Sequence, residues 1–256
     1  MMKPALALVA VLALAGCSTS APEPTPTETV VADTLSGTIT VFAAASLTDS
    51  FQQIADAFTE EHPDVTVIFN FGGSSGLATQ IVEAAPADVF AAASPSTMKT
   101  VTDAALADGD PVDFASNVLE IAVASGNPGD ITGLEDFANA DKTIALCAVE
   151  VPCGAAAAKL FETAGTTPMV DTYEQDVKAV LTKVELGEVD AGLVYVTDVQ
   201  AAGDAIEGIE VDSAAVKYPI ATLSASTSTE AADAFVAFVL SDMGQSILKA
   251  AGFGAP

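Results

Sequence analysis

The sequence predicts an α/β protein, because short and strongly apolar runs alternate with amphipathic helical patterns along most of the chain. Half of the 256 residues are apolar, which is enough for one large core or two modest ones. The alternation starts near residue 38 and continues to the C-terminus. We therefore expect a globular α/β protein with mainly parallel strands, preceded by an N-terminal segment of different character.

The individual elements follow from the period of the apolar residues. Strands are predicted at residues 39–44, 65–71, 88–92, 119–124, 143–146, 191–196 and 219–223. Helices are predicted at residues 47–62, 77–85, 154–164, 177–186 and 230–251. The first helix is marked by apolar residues at helical spacing, Leu47, Phe51, Ile54 and Phe58.

The N-terminus has the composition of an export signal. Lys3 precedes an apolar stretch of about a dozen residues, too short for a transmembrane helix, and the sequence LAGC follows at residues 14–17. This resembles a bacterial lipobox, so residues 1–16 are expected to be the signal peptide and Cys17 the acylated N-terminus. An ordinary secretory signal with an incidental cysteine is the alternative. Residues 17–36 are rich in Ser, Thr, Pro and Glu and are expected to form a lipidated tether.

The charge of the chain limits what it can bind. It has 35 acidic residues against eight lysines and no arginine, with a formal net charge of −27. Nucleic acids and anionic membranes require basic patches, so neither is an expected partner. Because bidentate guanidinium contacts are excluded, an anion must be bound mainly by neutral donors.

The pentapeptide FAAAS occurs twice, at residues 42–46 and 90–94, each time at the end of a predicted strand and before a helix. Ser46 and Ser94 can each be a helix N-cap or can contact a ligand, because ligands of open α/β sheets bind at the carboxyl ends of strands. Position alone favours the cap for both.

The loop FGGSSG at residues 71–76 is a better ligand-site candidate. Its glycines allow close backbone approach, and Ser74 and Ser75 add hydroxyl donors at a helix start. A tight structural turn is the alternative. The loop also matches the G-x-S-x-G pattern of serine hydrolases, but the single histidine, His62, lies upstream in a charged turn, which argues against that mechanism.

Other enzyme and metal patterns are incomplete. The S-x-x-K match at residues 96–99 lacks its companion motifs, so Lys99 is interpreted as a surface lysine. One histidine and two cysteines outside the lipobox do not make a zinc site. In an exported protein, Cys147 and Cys153 are expected to form a disulfide, with two free buried thiols as the alternative.

Two more predicted helix starts offer unpaired amides. Pro152 in the first turn of one helix leaves the amide of Cys153 free, and Asp176 is a plausible cap for a helix that begins at Val177.

Several of these motifs together resemble the molybdate-binding proteins of bacterial ABC importers, the ModA family. The resemblance extends over residues 38–256 and is carried by ITVFAAASLTDSF, the Gly/Ser loop with LATQIVEAAPADVFAAAS, EVPCG, YEQDV, GEVDAGLVYVTD and KYPIA.

The resemblance implies a periplasmic-binding-protein type II fold with two α/β lobes, two interlobe crossings and the ligand in the cleft. Lobe one is expected at residues 38–119 and 218–256, and lobe two at residues 120–217. The resemblance further implies oxyanion contacts from neutral donors only, at Ser46, Ser74, Cys153, Val177 and Tyr195. The choice of Ser74 over Ser75 is open, because the loop begins with two glycines.

The resemblance implies a binding lipoprotein, not an enzyme, that captures molybdate, and also tungstate, for the permease and ATPase of an ABC importer. The metal enters only as part of the oxyanion, and no cofactor is expected. The chain is expected to be a monomer, held by its lipid at the outer face of the cytoplasmic membrane or in the periplasm. A receptor for sulfate or another oxyanion is the alternative within the class, and a serine hydrolase is the alternative outside it.

Overall fold

The computed structural model describes residues 35–256. The predicted signal peptide, Cys17 and the tether up to residue 34 lie outside the described residues. The described chain is α/β, as predicted, with ten strands arranged in two five-stranded sheets. The strands are β1 (Gly37–Ala44), β2 (Val65–Gly72), β3 (Val89–Ala91), β4 (Val112–Asn117), β5 (Leu119–Ala124), β6 (Ile144–Cys147), β7 (Thr172–Glu174), β8 (Ala191–Tyr195), β9 (Ile206–Glu210) and β10 (Val216–Thr222).

Each sheet forms the centre of one lobe. The first has the order β2-β1-β3-β10-β4 and the second the order β7-β6-β8-β5-β9. The chain passes from the first to the second at residue 118 and returns at residues 211–215, which makes two crossings. The two-lobed α/β class is therefore confirmed.

The sheets are mixed and not mainly parallel as expected, because residues 35–256 form four parallel and four antiparallel strand pairs. In the first sheet β1 is parallel to β2 and β3, whereas β10 is antiparallel to its neighbours β3 and β4. In the second sheet β6 is parallel to β7 and β8, whereas β5 is antiparallel to β8 and β9. The carboxyl ends of the parallel strands in each sheet lie at one edge, which is where ligands bind in open α/β sheets.

Helices cover the faces of both sheets. In chain order they are α1 (Thr48–Glu61), α2 (Ser74–Val82), α3 (Pro95–Asp103), α4 (Pro152–Ala164), α5 (Val177–Glu185), α6 (Val196–Ala202), α7 (Thr229–Leu240) and α8 (Asp242–Ala250). In the first lobe, Phe51 and Phe58 of α1 pack against Phe235 of α7, with ring centroids 6.1 and 5.4 Å apart. These aromatic contacts join α1 to α7 in the core of the first lobe.

The three strands that the sequence did not predict, β4, β7 and β9, are all edge strands. An edge strand is covered less completely than a central one, so it does not need a continuous apolar run and carries a weaker sequence signal. The central strands β1, β3, β5, β6, β8 and β10 were all predicted.

The predicted C-terminal helix at residues 230–251 is two helices. Its long apolar pattern is interrupted at Ser241, whose hydroxyl accepts a hydrogen bond from Gly244 N (3.3 Å) and caps α8. The axes of α7 and α8 differ by 58°. Within residues 35–256, no single helix has the length and apolar character to cross a membrane, and only this bent pair meets those criteria when taken together.

Candidate functional site

A small cavity lies where the carboxyl ends of the parallel strands of both lobes face each other. Its volume is about 20 Å³, which leaves room only for a compact ligand. Residues from both lobes line it: Ala44, Ala45, Ser46, Gly72, Gly73, Ser74, Ala93, Val151, Pro152, Cys153, Asp176, Val177 and Tyr195. All five predicted oxyanion-contacting residues are among them, although they are spread over 150 positions of sequence.

Ser46 follows β1 and is not a helix cap. It lies inside a single turn of 3-10 helix, Ala45–Leu47, and is buried. Its Oγ lies 2.9 Å from the hydroxyl of Tyr218 on β10. Ser94, in contrast, is the N-cap of α3, and its Oγ accepts a hydrogen bond from Thr97 N (3.2 Å). The two FAAAS copies therefore differ: the cap interpretation is confirmed for Ser94 and is wrong for Ser46.

The two serines of the Gly/Ser loop have different environments. Ser74 is the first residue of α2, is 1% exposed, and accepts a hydrogen bond from Ala93 N (3.0 Å), so its hydroxyl hydrogen remains available. Ser75 is partly exposed and donates to the carbonyl of Glu150 in the other lobe. Ser75 does not line the cavity, and its hydrogen is already used.

Cys153 is the second residue of α4, directly after Pro152. The first amide of this turn that finds a helical acceptor is that of Ala155, which donates to Val151 O (3.0 Å), so the amide of Cys153 precedes the regular ladder. The predicted disulfide is present between Cys153 and Cys147 at the end of β6. It closes the loop that carries Val151 and Pro152 to the cavity.

Val177 opens α5 in the same way. The N-cap Asp176 accepts a hydrogen bond from Ala179 N (2.9 Å) through Oδ1, as predicted, which leaves the Val177 amide outside the capping bond. Although Asp176 lines the cavity, its carboxylate is engaged in the cap. The N-termini of α2, α4 and α5 thus converge on one cavity, and each adds partial positive charge there.

Tyr195 ends β8 and is 1% exposed. Its hydroxyl is buried and makes no hydrogen bond of regular geometry in the described part of the chain, although the Tyr218 hydroxyl is nearby. A buried donor of this kind destabilises the folded protein unless a partner is supplied. Burial raises the pKa of Tyr195 well above its usual range, so the phenol keeps its proton and can donate it. An acceptor in the cavity would satisfy this group.

No lysine lines the cavity. Lys178 follows the lining residue Val177 in the first turn of α5, and its Nζ lies 2.8 Å from Asp49 Oδ2 in the other lobe. The same Nζ lies 3.7 Å from Oδ1 of the buried Asp198. The cavity therefore offers hydroxyl and amide donors while the nearby cation is paired with carboxylates.

The lobes are in contact around the cavity. A Cβ atom built on Gly73 in lobe one would lie 2.2 Å from the carbonyl oxygen of Gln175 in lobe two, so only glycine permits this approach. Deeper in the cleft, Asn117 Nδ2 donates to Thr197 Oγ1 (2.8 Å). Together with the Ser75 and Lys178 contacts, these interactions describe a cleft with its two walls closely apposed.

The single histidine and the lysine of the S-x-x-K match have structural or surface roles. His62 lies at the C-terminus of α1 with its ring against Phe58 (4.7 Å between centroids) and does not line the cavity that contains Ser74. Lys99 is exposed and pairs with Asp103 one helical turn later, as expected for a surface lysine. Within residues 35–256, no cluster of three His, Cys, Asp or Glu side chains could hold a metal ion.

Sequence reasoning did not single out Tyr218, Asp198 or the tight approach at Gly73. Tyr218 occurs within the KYPIA motif and Asp198 within GLVYVTD, but neither has local features that indicate a polar role. Their importance depends on contacts with residues far away in sequence.

A two-lobed α/β fold with a donor-lined cleft between the lobes is typical of solute-binding proteins. The chain belongs to the family of bacterial extracellular solute-binding proteins, whose model matches residues 39–254.

Individual relatives agree with the ModA resemblance. The molybdate-binding protein ModA of Mycobacterium tuberculosis is 39% identical over 221 residues, which is 85% of each chain. A protein named as an ABC transporter substrate-binding lipoprotein, YvgL of Bacillus subtilis, is 29% identical over 256 residues, with 97% of this chain and 96% of that one covered. In fold, the periplasmic molybdate-binding protein of Azotobacter vinelandii matches with a TM-score of 0.73 at 19% identity, over 85% of this chain and 99% of the other.

Asp198 makes the stability of the folded protein depend on pH. Burial raises the pKa of its carboxyl from 3.8 to about 6, and Lys178 opposes that shift. Because the folded protein binds this proton more tightly than the unfolded chain, the group stabilises the fold when protonated, and this contribution is lost as the pH rises from about 4 to about 6. The interval corresponds to a free energy on the order of 3 kcal/mol.

Asp198→Asn cannot ionise, so its stability should lack this pH dependence. We therefore expect the unfolding free energy of the variant, relative to that of the wild type, to rise by up to about 3 kcal/mol between pH 4 and pH 7. Urea denaturation of both proteins at unit pH intervals measures the difference. Parallel pH profiles would show that Asp198 does not titrate as described.

Proposed function

We propose that this protein captures molybdate, and also tungstate, outside the cytoplasm and delivers it to the permease of an ABC importer driven by its ATPase. The observation that carries the proposal is the convergence of five neutral donors from both lobes on one small cavity. The ModA relative supports molybdate as the ligand, and the lipoprotein relative supports anchoring through an acylated Cys17. In this proposal the protein acts as a monomer and needs no cofactor.

The donor set suits a fully deprotonated tetrahedral oxyanion. In the proposed site, the hydroxyls of Ser46, Ser74 and Tyr195 and the amides of Cys153 and Val177 donate to the ligand. Such an anion has only acceptors, so each donor finds a partner, whereas a protonated anion brings a donor that must find its own acceptor. Hydrogen bonds to a charged group contribute about 1.5 to 3 kcal/mol each, so a handful can offset desolvation without a cation.

The closed cleft suggests how binding is signalled to the importer. Lobe one supplies Ser46 and Ser74, and lobe two supplies Cys153, Val177 and Tyr195, so the anion binds fully only when the lobes meet. Closure about the two crossings then excludes water and forms the surface that the permease reads. The negative charge of the protein opposes the approach of an anion, but salt screens that repulsion beyond about 8 Å.

The alternatives receive less support. A serine hydrolase at Ser74 needs a general base, and His62 packs on Phe58 at the end of α1 instead. A sulfate receptor is compatible with the same donors, since sulfate is also a deprotonated tetrahedral dianion, but the 39% identical relative is a molybdate-binding protein.

Calorimetric titration of the full-length protein with molybdate, tungstate, sulfate and phosphate tests the function. We expect tight binding at a 1:1 ratio for molybdate and tungstate only. Sulfate binding as strong as molybdate binding would contradict the molybdate assignment. The double variant Ser46→Ala/Ser74→Ala, checked for unchanged thermal unfolding, is expected to bind far more weakly, and an affinity close to that of the wild type would mean that the site is misplaced.

The choice between Ser74 and Ser75 can be tested with single substitutions. Ser74→Ala removes a donor to the charged ligand and is expected to lower molybdate affinity roughly 10- to 100-fold. Ser75→Ala removes a neutral bond to Glu150 at the rim and is expected to lower it less than about tenfold. The same titration measures both, and a larger loss for Ser75→Ala would reverse the assignment.

Closure can be tested at Gly73. In Gly73→Ala the new methyl group would overlap the Gln175 carbonyl, which is backbone and cannot rotate away, so the lobes must stay further apart. We expect molybdate affinity to fall by about tenfold or more. The matched control is Gly76→Ala, where an added Cβ meets nothing within 4 Å and the affinity should be unchanged. Equal affinities of the two variants would show that binding does not need this approach.

A further inference from the structure

Tyr218 contacts the proposed site from behind and is not one of its predicted ligands. It lies on β10, the strand that follows the second crossing, and is fully buried. Its hydroxyl lies 2.9 Å from Ser46 Oγ, and this is the one hydrogen bond described for the Ser46 side chain within residues 35–256. The direction in which Ser46 points its hydrogen therefore depends on Tyr218.

An irregularity in the sheet lies next to this side chain. Tyr218 pairs with Ala115 of β4 and Pro219 pairs with Asp113, so the register shifts at this point and Phe114 of β4 is the extra residue. Bulges re-aim side chains beside functional sites, and proline is tolerated within a sheet at such an irregularity. The ring is then held edge-on by Phe253, Tyr195 and Phe114, with centroids 5.5, 6.1 and 6.3 Å away.

The number of available hydrogens determines whether the Ser46 hydroxyl or the Tyr218 hydroxyl donates in their mutual hydrogen bond. Ser46 has one hydrogen, and a ligand that has only acceptors requires it. If Ser46 gave that hydrogen to Tyr218, an oxygen lone pair would face the anion. Asn117 and Tyr195 also lie near the Tyr218 hydroxyl. Ser46 Oγ is the one described partner of that hydroxyl at hydrogen-bond distance (2.9 Å), so we assign Tyr218 as the donor in the complex. Burial raises the pKa of Tyr218 well above its usual range, so its phenol has a proton to give.

We propose that Tyr218 is a positioning and specificity-determining residue, which donates to Ser46 Oγ and so commits the Ser46 hydroxyl to donating into the cavity. This role rests on the proposed oxyanion-binding function. It predicts selectivity as well as affinity. When the Tyr218 hydroxyl is absent, Ser46 can rotate and present a lone pair, which suits the hydrogen of a protonated anion such as hydrogen phosphate and does not suit molybdate.

The test is Tyr218→Phe in the full-length protein, since this change removes the hydroxyl and keeps the ring that packs in the core. Calorimetric titrations with molybdate and with phosphate at one pH give both affinities. We expect molybdate affinity to fall about tenfold and phosphate affinity to fall less or to rise. The ratio of molybdate affinity to phosphate affinity should therefore be smaller in the variant than in the wild type. The matched control is Tyr173→Phe, whose ring is 60% exposed and outside the cavity lining, and which should leave both affinities unchanged.

The outcomes separate this proposal from the function itself. An unchanged molybdate affinity in Tyr218→Phe would overturn the positioning role while leaving molybdate binding intact. An equal loss for both anions would also overturn it, because a purely structural role weakens every ligand by the same factor. Where the wild type binds phosphate too weakly to titrate directly, molybdate is titrated into protein that already contains excess phosphate, and the fall in apparent molybdate affinity gives the phosphate affinity. A wild type that does not bind molybdate would overturn the proposed function and this role with it.

Discussion

The structure depends on one electrostatic constraint, which is that an anion-binding cavity must be built without a cation. With no arginine in the chain and Lys178 paired to Asp49 and beside Asp198, the positive potential has to come from backbone and hydroxyl groups. The N-termini of α2, α4 and α5 meet this requirement, because each points free amides and a partial positive charge at the same small space. Parallel strands ending at one edge of each sheet bring those N-termini together.

Close packing of the backbone is the consequence of that solution. Backbone amides are short donors, so chain segments must come nearer to the ligand and to each other than long side chains would require. A Cβ on Gly73 would overlap the opposite lobe, and one on Gly154 would lie 1.9 Å from Ala148 O within the loop closed by the Cys147–Cys153 disulfide. The glycines allow the donor loops to approach this closely, and the disulfide fixes the loop between Cys147 and Cys153.

The site also carries groups that the fold alone would not favour. The Tyr195 hydroxyl and one oxygen of Asp198 are buried and make no hydrogen bond of regular geometry among the described residues. Such groups destabilise a folded protein, and they occur where function requires an unsatisfied donor or a perturbed acid. Beside them, Tyr218 and Ser46 satisfy each other, which leaves one hydrogen for the cavity. The polar interior of the cleft is thus arranged around an acceptor that comes from outside.

Local sequence was a good guide wherever a single segment determines its own structure. The central strands, the caps at Ser94 and Asp176, and the proline that opens α4 follow from residues adjacent in sequence. The edge strands β4, β7 and β9 escaped prediction because their pairing partners stabilise them more than their own composition does. The break between α7 and α8 at Ser241 was not predicted, because the apolar residues keep their helical spacing on both sides of it.

The sequence by itself determined the α/β class, the family, the requirement for neutral donors and the candidate donors, because these depend on composition and on motifs within short segments. The tertiary structure decided which serine of the Gly/Ser loop lines the cavity and keeps its hydrogen. It also decided that Tyr218 stands behind Ser46. These outcomes depend on distances between residues up to 172 positions apart, and such distances exist only after the sheets and lobes have formed.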